Sequence, residues 1–218
     1  MVFAPDTVWL KLLNALLSSN TVRIIREIVG VLQRLRYAPG LYEVLEQQIH
    51  LTLKDEAGKY ASYYKQQRVR FLQDYVIAFQ DTLWGDGDIF RNYRCSPGKS
   101  VDRYREGHRY RVLISLRETK QRGDIENFRI SRDIRNGFLE THEYLQTDIN
   151  HQTHNLAMQV TFPLKRPPRA AWITEKNTCR ASQLAVTSFQ VLPDGRVQIN
   201  WQNEKPILHE SYILSWEW

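Results

Sequence analysis

Hydrophobic positions change their period along this chain. Asp6 and Thr7 can cap a helix that runs through Trp9, Leu10, Leu12, Leu13, Leu16 and Leu17. Ser18-Ser19-Asn20-Thr21 breaks that run. Beyond it Val22, Ile25, Ile28, Val29, Leu32 and Leu35 form one face, and Arg23, Arg26, Glu27, Gly30, Gln33 and Arg34 the other, the spacing of an amphipathic helix. Tyr37-Ala38-Pro39-Gly40 ends it, because proline disfavours helix at the residue before it and glycine permits a turn. From Leu41 to Trp84 there is no proline. Leu53, Ala57, Tyr60, Tyr64, Phe71 or Leu72, Tyr75 or Val76, Phe79 and Leu83 recur there at mostly three- to four-residue spacing. This predicts either one very long helix, which would need a partner helix along most of its length, or two helices broken near Gly58.

Trp84-Gly85-Asp86-Gly87-Asp88 stops the helical pattern. Residues 85–107 show no sustained period and contain Pro97, Gly98 and Gly107, so they read as a structured linker packed by Phe90, Tyr93 and Tyr104. From about residue 108 the period is two. Tyr110, Val112, Ile114 and Leu116 alternate with Arg109, Arg111, Leu113, Ser115 and Arg117. Leu156, Met158, Val160 and Phe162 do the same, as do Val197, Ile199 and Trp201, and Tyr212, Leu214, Trp216 and Trp218. Weaker candidates lie at 125–134, 138–147, 171–174 and 184–192. Arg122-Gly123-Asp124, Asn136-Gly137, Arg166-Pro167-Pro168 and Pro193-Asp194-Gly195 supply turns between them.

About eight short strands at such spacing predict an antiparallel β-sandwich of immunoglobulin-like architecture. The Cys…Trp…Cys spacing of antibody domains is missing, so the likeness is architectural only. The expected fold class is therefore α+β. A helical bundle or long helical hairpin occupies 1–84 as an interaction region, 85–107 is the linker, and 108–218 is the sandwich. No internal repeat, low-complexity tract or motif of a named family is present.

Composition adds bounds. The 218 residues are 42% hydrophobic and 25% charged, the balance of a globular protein. The N-terminus lacks the basic start and apolar core of a secretory signal, and the stretch from Val8 to Leu17 is about half a bilayer span. The expectation is a cytoplasmic protein with no membrane span. The arginines of Val22–Arg36 suit an interfacial helix, but Glu27 and the apolar neighbouring helices favour core packing. Cys95 and Cys179 are too few for a disulfide scaffold or a cysteine zinc site and read as free thiols.

The net charge of +6 is concentrated. Between Arg91 and Arg135 stand thirteen Lys/Arg against six Asp/Glu, and the rest of the chain is close to neutral. Arg91, Arg94, Arg103, Arg105, Arg109 and Arg111 are interleaved with Tyr93 and Tyr104. Forked guanidinium donors suit phosphates and tyrosines can stack on bases, so these eight residues are the candidate nucleic-acid site. Asp102, Glu106 and Glu118 stand among them as alternative partners for the arginines.

Catalytic signatures are absent. The chain holds no G-x-S-x-G, Walker A, G-x-G-x-x-G or H-E-x-x-H. His151 and His154 fall in a polar loop and would need a third ligand to hold a metal. Asp81, Asp86 and Asp88 resemble an oxygen-rich cation loop, but Gly87 and Ile89-Phe90 stand where further oxygens belong. No catalytic residue, metal or cofactor is expected. The reading is a non-enzymatic adaptor or regulatory subunit that binds protein partners, or a copy of itself, through residues 1–84 and the sandwich surface. The alternative is a nucleic-acid-binding protein that uses 91–135.

Overall fold

The computed structural model of the protein describes residues 40–218, and in them strands begin far earlier than position 108. The elements are β1 (Tyr42–Leu53), β2 (Tyr60–Phe71), β3 (Val76–Leu83), β4 (Asp88–Ser96), β5 (Lys99–Glu106), β6 (Arg109–Lys120) and β7 (Ile125–Arg135). They continue with β8 (His142–Asp148), β9 (Leu156–Thr161), β10 (Ala170–Glu175), β11 (Arg180–Gln183), β12 (Phe189–Val191), β13 (Val197–Asn203) and β14 (Ser211–Glu217). The described helical content is one short 3-10 turn at Val186–Ser188. The helices expected at 8–17 and 22–36 lie outside the described residues.

The helix or helices expected over 41–84 are instead three strands, and the segment 85–107 is two more, so the α+β expectation is replaced by a β fold. A bulge explains part of the false period, and the exposed Ala57, Tyr60, Tyr64 and Tyr75 supply the rest. The β3–β6 register shifts between Val76 and Ala78, so the buried Val76, Phe79 and Leu83 stand three and four apart, as on a helix. Asp81, the inward residue between the last two, is polar and hides the alternation. The β1–β2 register shifts in the same way between Val44 and Glu46. The turn between these strands is local chemistry: Asp55 accepts the N–H groups of Lys59 (3.3 Å) and Tyr60 (2.7 Å). Gly58 sits there at φ +68°, and a Cβ on it would stand 1.6 Å from the Phe138 carbonyl oxygen.

Three sheets result. The large one runs β12-β13-β9-β1-β2-β7-β4, a second runs β11-β10-β14-β8, and a third β3-β6-β5. This departs from the two-sheet, antiparallel sandwich expected, because β1 and β9 pair in parallel, with Gln47 opposite Leu156. Both small sheets pack on one face of the large one. Phe79 of β3 stacks on Phe128 of β7 at 3.9 Å, and Trp201 of β13 meets Tyr212 of β14 at 5.3 Å. Tyr212, Leu214, Trp216 and Trp218 are all buried, as their alternation predicts. Among the described residues no helix is long and apolar enough to cross a membrane.

One buried carboxylate fixes a corner of the second sheet. Glu210 accepts the backbone N–H groups of Asn177 (2.7 Å) and Ser211 (2.8 Å) on Oε1 and that of Thr178 (3.0 Å) on Oε2. Burial opposes its charge, but these donors outweigh it and hold the pKa below the ordinary glutamate value. A depressed folded pKa gives stability that is fully present above the unfolded pKa and is lost as pH falls through the folded one. Glu210→Gln is expected to melt below the wild type at neutral pH, with the gap closing below about pH 4. Melting curves across that range check it, and a gap that stays constant with pH would show that the charge contributes nothing.

Candidate functional site

Cross-strand register puts polar side chains on the inner face of the large sheet. Tyr63 of β2 stands opposite Leu51 of β1 and Arg132 of β7, Lys65 opposite Ile49 and Ile130, and Gln67 opposite Gln47 and Phe128. Positions that would normally carry aliphatic residues thus hold Tyr63, Lys65, Gln67, Gln47 and Arg132 in adjoining rows. Tyr63, Lys65, Gln67 and Gln47 form the floor of a cleft where the two small sheets part, and Arg132 lines a smaller space beside it.

The walls are strand edges. Ala78, Gln80 and Thr82 of β3 line one side, and Gln146, Thr147 and Asp148 of β8 the other, around about 350 Å³ that His151 and Arg111 also border. A smaller chamber of about 70 Å³ adjoins it and is lined by Arg132, Asp86, Glu143 and Tyr144. Tyr63, Thr82, Trp84 and Gln146 border both spaces. β3 and β8 are each the last strand of their sheet, so the edge each turns from its sheet has no strand partner among the described residues.

Buried charge sits under the cleft. Asp81, 2% exposed, pairs with the Lys65 ammonium through Oδ1 and accepts the Tyr93 hydroxyl on Oδ2 at 3.0 Å. Burial works against the Lys65 charge, but Asp81 and Tyr63 more than offset it, so its pKa lies above the ordinary lysine value. Burial, and then the Asp81 charge, push the Tyr93 hydroxyl well up, so it stays a donor. Arg132, 8% exposed, lies 4.4 Å over the Tyr63 ring and donates Nη1 to the Ile89 carbonyl at 3.2 Å, while its Nε has no partner. Burial lowers its pKa, yet a guanidinium remains charged.

Hydrogen bonds tie the floor to the walls. Gln67 donates to Gln47 Oε1 (2.6 Å), and Gln47 donates to Thr147 Oγ1 on β8 (2.9 Å). Arg109 of β6 reaches Asp148 of β8, Nη2 to Oδ2 at 2.7 Å, and lies 5.2 Å over the Trp84 ring. That pair joins the third sheet to the second at the cleft rim. Asp148 Oδ1 also accepts Gln146 (2.8 Å) and Ser211 (2.7 Å).

Of the residues expected to bind nucleic acid, Tyr93 and Arg103 line one shallow space on β4 and β5, and others are tied to side-chain partners. Arg91 and Arg94 are exposed on β4, and Arg103 and Arg105 are exposed on β5, lying over Phe90 (4.2 Å) and Tyr110 (5.8 Å). Arg111 is held by Glu106 (2.7 Å) and Thr82 (2.7 Å), and Arg109 by Asp148. Tyr93 turns inward to Asp81, whereas Tyr104 is 48% exposed and accepts the Gln80 amide at 3.0 Å. β5, exposed throughout, reads as an edge strand blunted by charge: Lys99, Asp102, Arg103, Arg105 and Glu106.

The other candidates have structural partners. His151 stacks on Tyr42 at 4.1 Å, and His154 bonds Glu43 at 2.9 Å. Asp81 leaves the supposed cation loop for the interior, while Asp86 and Asp88 stay exposed beside β4. Trp84 is half-buried at the junction of the two spaces. Sequence reasoning missed Lys65, Gln67, Gln47 and Arg132. Their one signal is charged and amide residues at strand positions in phase with Ala61, Val69, Ile130 and Phe128.

No protein-family model matches the sequence, and no curated protein matches it. Solved structures similar to the chain include a mutant M1 zinc metallopeptidase from Deinococcus radiodurans bound to a Tyr-Ser-Ala substrate. The TM-score is 0.51 at 10% identity, over 79% of this chain and 42% of that one. A two-domain M1 zinc metallopeptidase mutant bound to L-tryptophan matches with TM-score 0.51 at 11% identity and the same coverages. At this identity the likeness shows the fold alone, and the chain spans about two fifths of these proteins' length.

Proposed function

We propose that residues 40–218 are a binding module that takes an extended polypeptide segment of a partner protein into the cleft between β3 and β8. The observation that carries this is the pair of strand edges facing one polar cleft. An edge strand offers a row of N–H and C=O groups, and proteins guard such edges with charge, shortness or cover. β5 is guarded by charge, and β11 and β12 by their length of four and three residues. β3 has eight residues with no Lys or Arg. An added strand would bond to the backbone of either wall, while its alternate side chains meet the amides of Gln47 and Gln67 below. The neighbouring fold occurs in a peptidase bound to a peptide and in one bound to an amino acid, which is consistent with a peptide ligand here.

The role proposed is recognition rather than bond cleavage, in keeping with an adaptor or regulatory subunit. Its test is hydrogen exchange on the full chain with a short acetylated and amidated peptide of alternating threonine and valine. Amides along β3 and β8 should exchange about tenfold more slowly with peptide, while those of β5 and β11 stay unchanged. Slowing confined to β5, or none anywhere, would remove the reading.

A further inference from the structure

The charges beneath the cleft do not balance. The cations here are Lys65, 11% exposed, and the buried Arg132, and the carboxylate that lies among them is Asp81. Lys65 takes one oxygen of Asp81 and Tyr93 binds the other. Arg132 is left with the carbonyl of Ile89 and the face of Tyr63, and forms no ion pair among the described residues. A buried charge without a counter-ion is costly enough that folded proteins avoid it unless it serves a ligand. This one borders a chamber of about 70 Å³ that opens beside the peptide cleft at Tyr63 and Trp84.

We propose that Arg132 is an anion-recognition residue and that the segment entering the cleft presents a carboxylate to it, an inference that rests on the reading of the cleft as a peptide site. A carboxylate supplies the ion-pair partner that Arg132 lacks and two acceptor oxygens for the guanidinium fork. Asp86 and Glu143 line the same chamber without pairing with Arg132, and their charge weighs more against a doubly charged group such as phosphate than against a single carboxylate. The carboxylate comes from an aspartate or glutamate side chain of the segment, or from its C-terminus.

Three peptides of the same threonine–valine pattern separate these sources: one with a central glutamate and an amidated end, one with a central glutamine and a free carboxy end, and one with glutamine and an amidated end. Binding is measured by calorimetry at low salt, and the Arg132 Nε–Hε resonance is followed by NMR. The expected result is tenfold or tighter binding of one carboxylate peptide over the neutral one, with the Arg132 resonance shifted only by that peptide. Arg132→Met should abolish the preference yet keep the fold, since Lys65 and Asp81 then remain as a balanced pair. Acetate and acetamide titrations on the wild type give a readout independent of that variant: acetate should move the resonance and acetamide should not.

Equal binding of all three peptides with a still Arg132 resonance overturns the anion site and leaves strand addition standing. A resonance moved by acetate while no peptide binds overturns the peptide as the source of the carboxylate, and the cleft reading with it. A resonance moved by inorganic phosphate and not by acetate overturns the choice of carboxylate.

Discussion

Asp81→Asn is expected to destabilise the protein by about 3–5 kcal/mol, the loss typical when one partner of a buried ion pair is removed. The carboxylate is 2% exposed and balances Lys65, with Tyr93 hydrogen-bonded to its second oxygen. Asparagine keeps the shape and leaves the largely buried Lys65 and the buried Arg132 without the anion between them. The melting temperature should fall on the order of 10 °C for a domain of this size. Lys65→Met should cost much less, because Arg132 remains to face Asp81. Adding Lys65→Met to Asp81→Asn should recover part of the loss. Thermal denaturation of the three variants checks this. Equal losses for Asp81→Asn and Lys65→Met would show that the interior does not carry surplus positive charge.

That cluster was illegible in the sequence for a physical reason. Lys65, Asp81 and Arg132 come from β2, β3 and β7, which belong to two different sheets, and no local spacing links them. Proximity along the chain groups Asp81 with Asp86 and Asp88, whereas β3 points it inward. The terminal strand shows the opposite case. Tyr212, Leu214, Trp216 and Trp218 alternate without a bulge, so both the element and its buried face could be read directly. In 41–84 the strands are hidden because a bulge restores a three- and four-residue spacing among the apolar residues of β3 and the exposed Tyr60, Tyr64 and Tyr75 extend it. The turn at Asp55–Gly58 and the positive φ at Tyr75 mark where those strands end, and only the first of these has a sequence signature.

Trp216→Ala is expected to cost about 3–5 kcal/mol, the range for truncating a large buried aromatic. Its ring is fully buried, edge-on to Phe162 at 5.6 Å and tilted against Phe138 at 6.0 Å. On neighbouring strands Ala171 and Glu143 stand opposite it, and Ala171 is too small to fill the space left behind. The indole Nε1 has no hydrogen-bond partner, so the loss is one of packing and cavity formation. Trp216→Phe should lose less. Val191→Ala, at a site 71% exposed, should stay within about 0.5 kcal/mol of the wild type. A melting temperature unmoved by Trp216→Ala would mean that the second sheet does not seat on the first as described.

The parallel pairing of β1 with β9 sets a timetable for biosynthesis. β1 ends at Leu53, and its partner does not begin until Leu156. At ribosomal speeds of roughly 5–20 residues per second, the edge of β1 waits on the order of 5–20 s for the strand that will cover it. Through that interval the nascent chain can complete the β1–β2–β7–β4 half of the large sheet but cannot close it. The β9–β13 half attaches only through an edge that has meanwhile been open to any other strand in the cell.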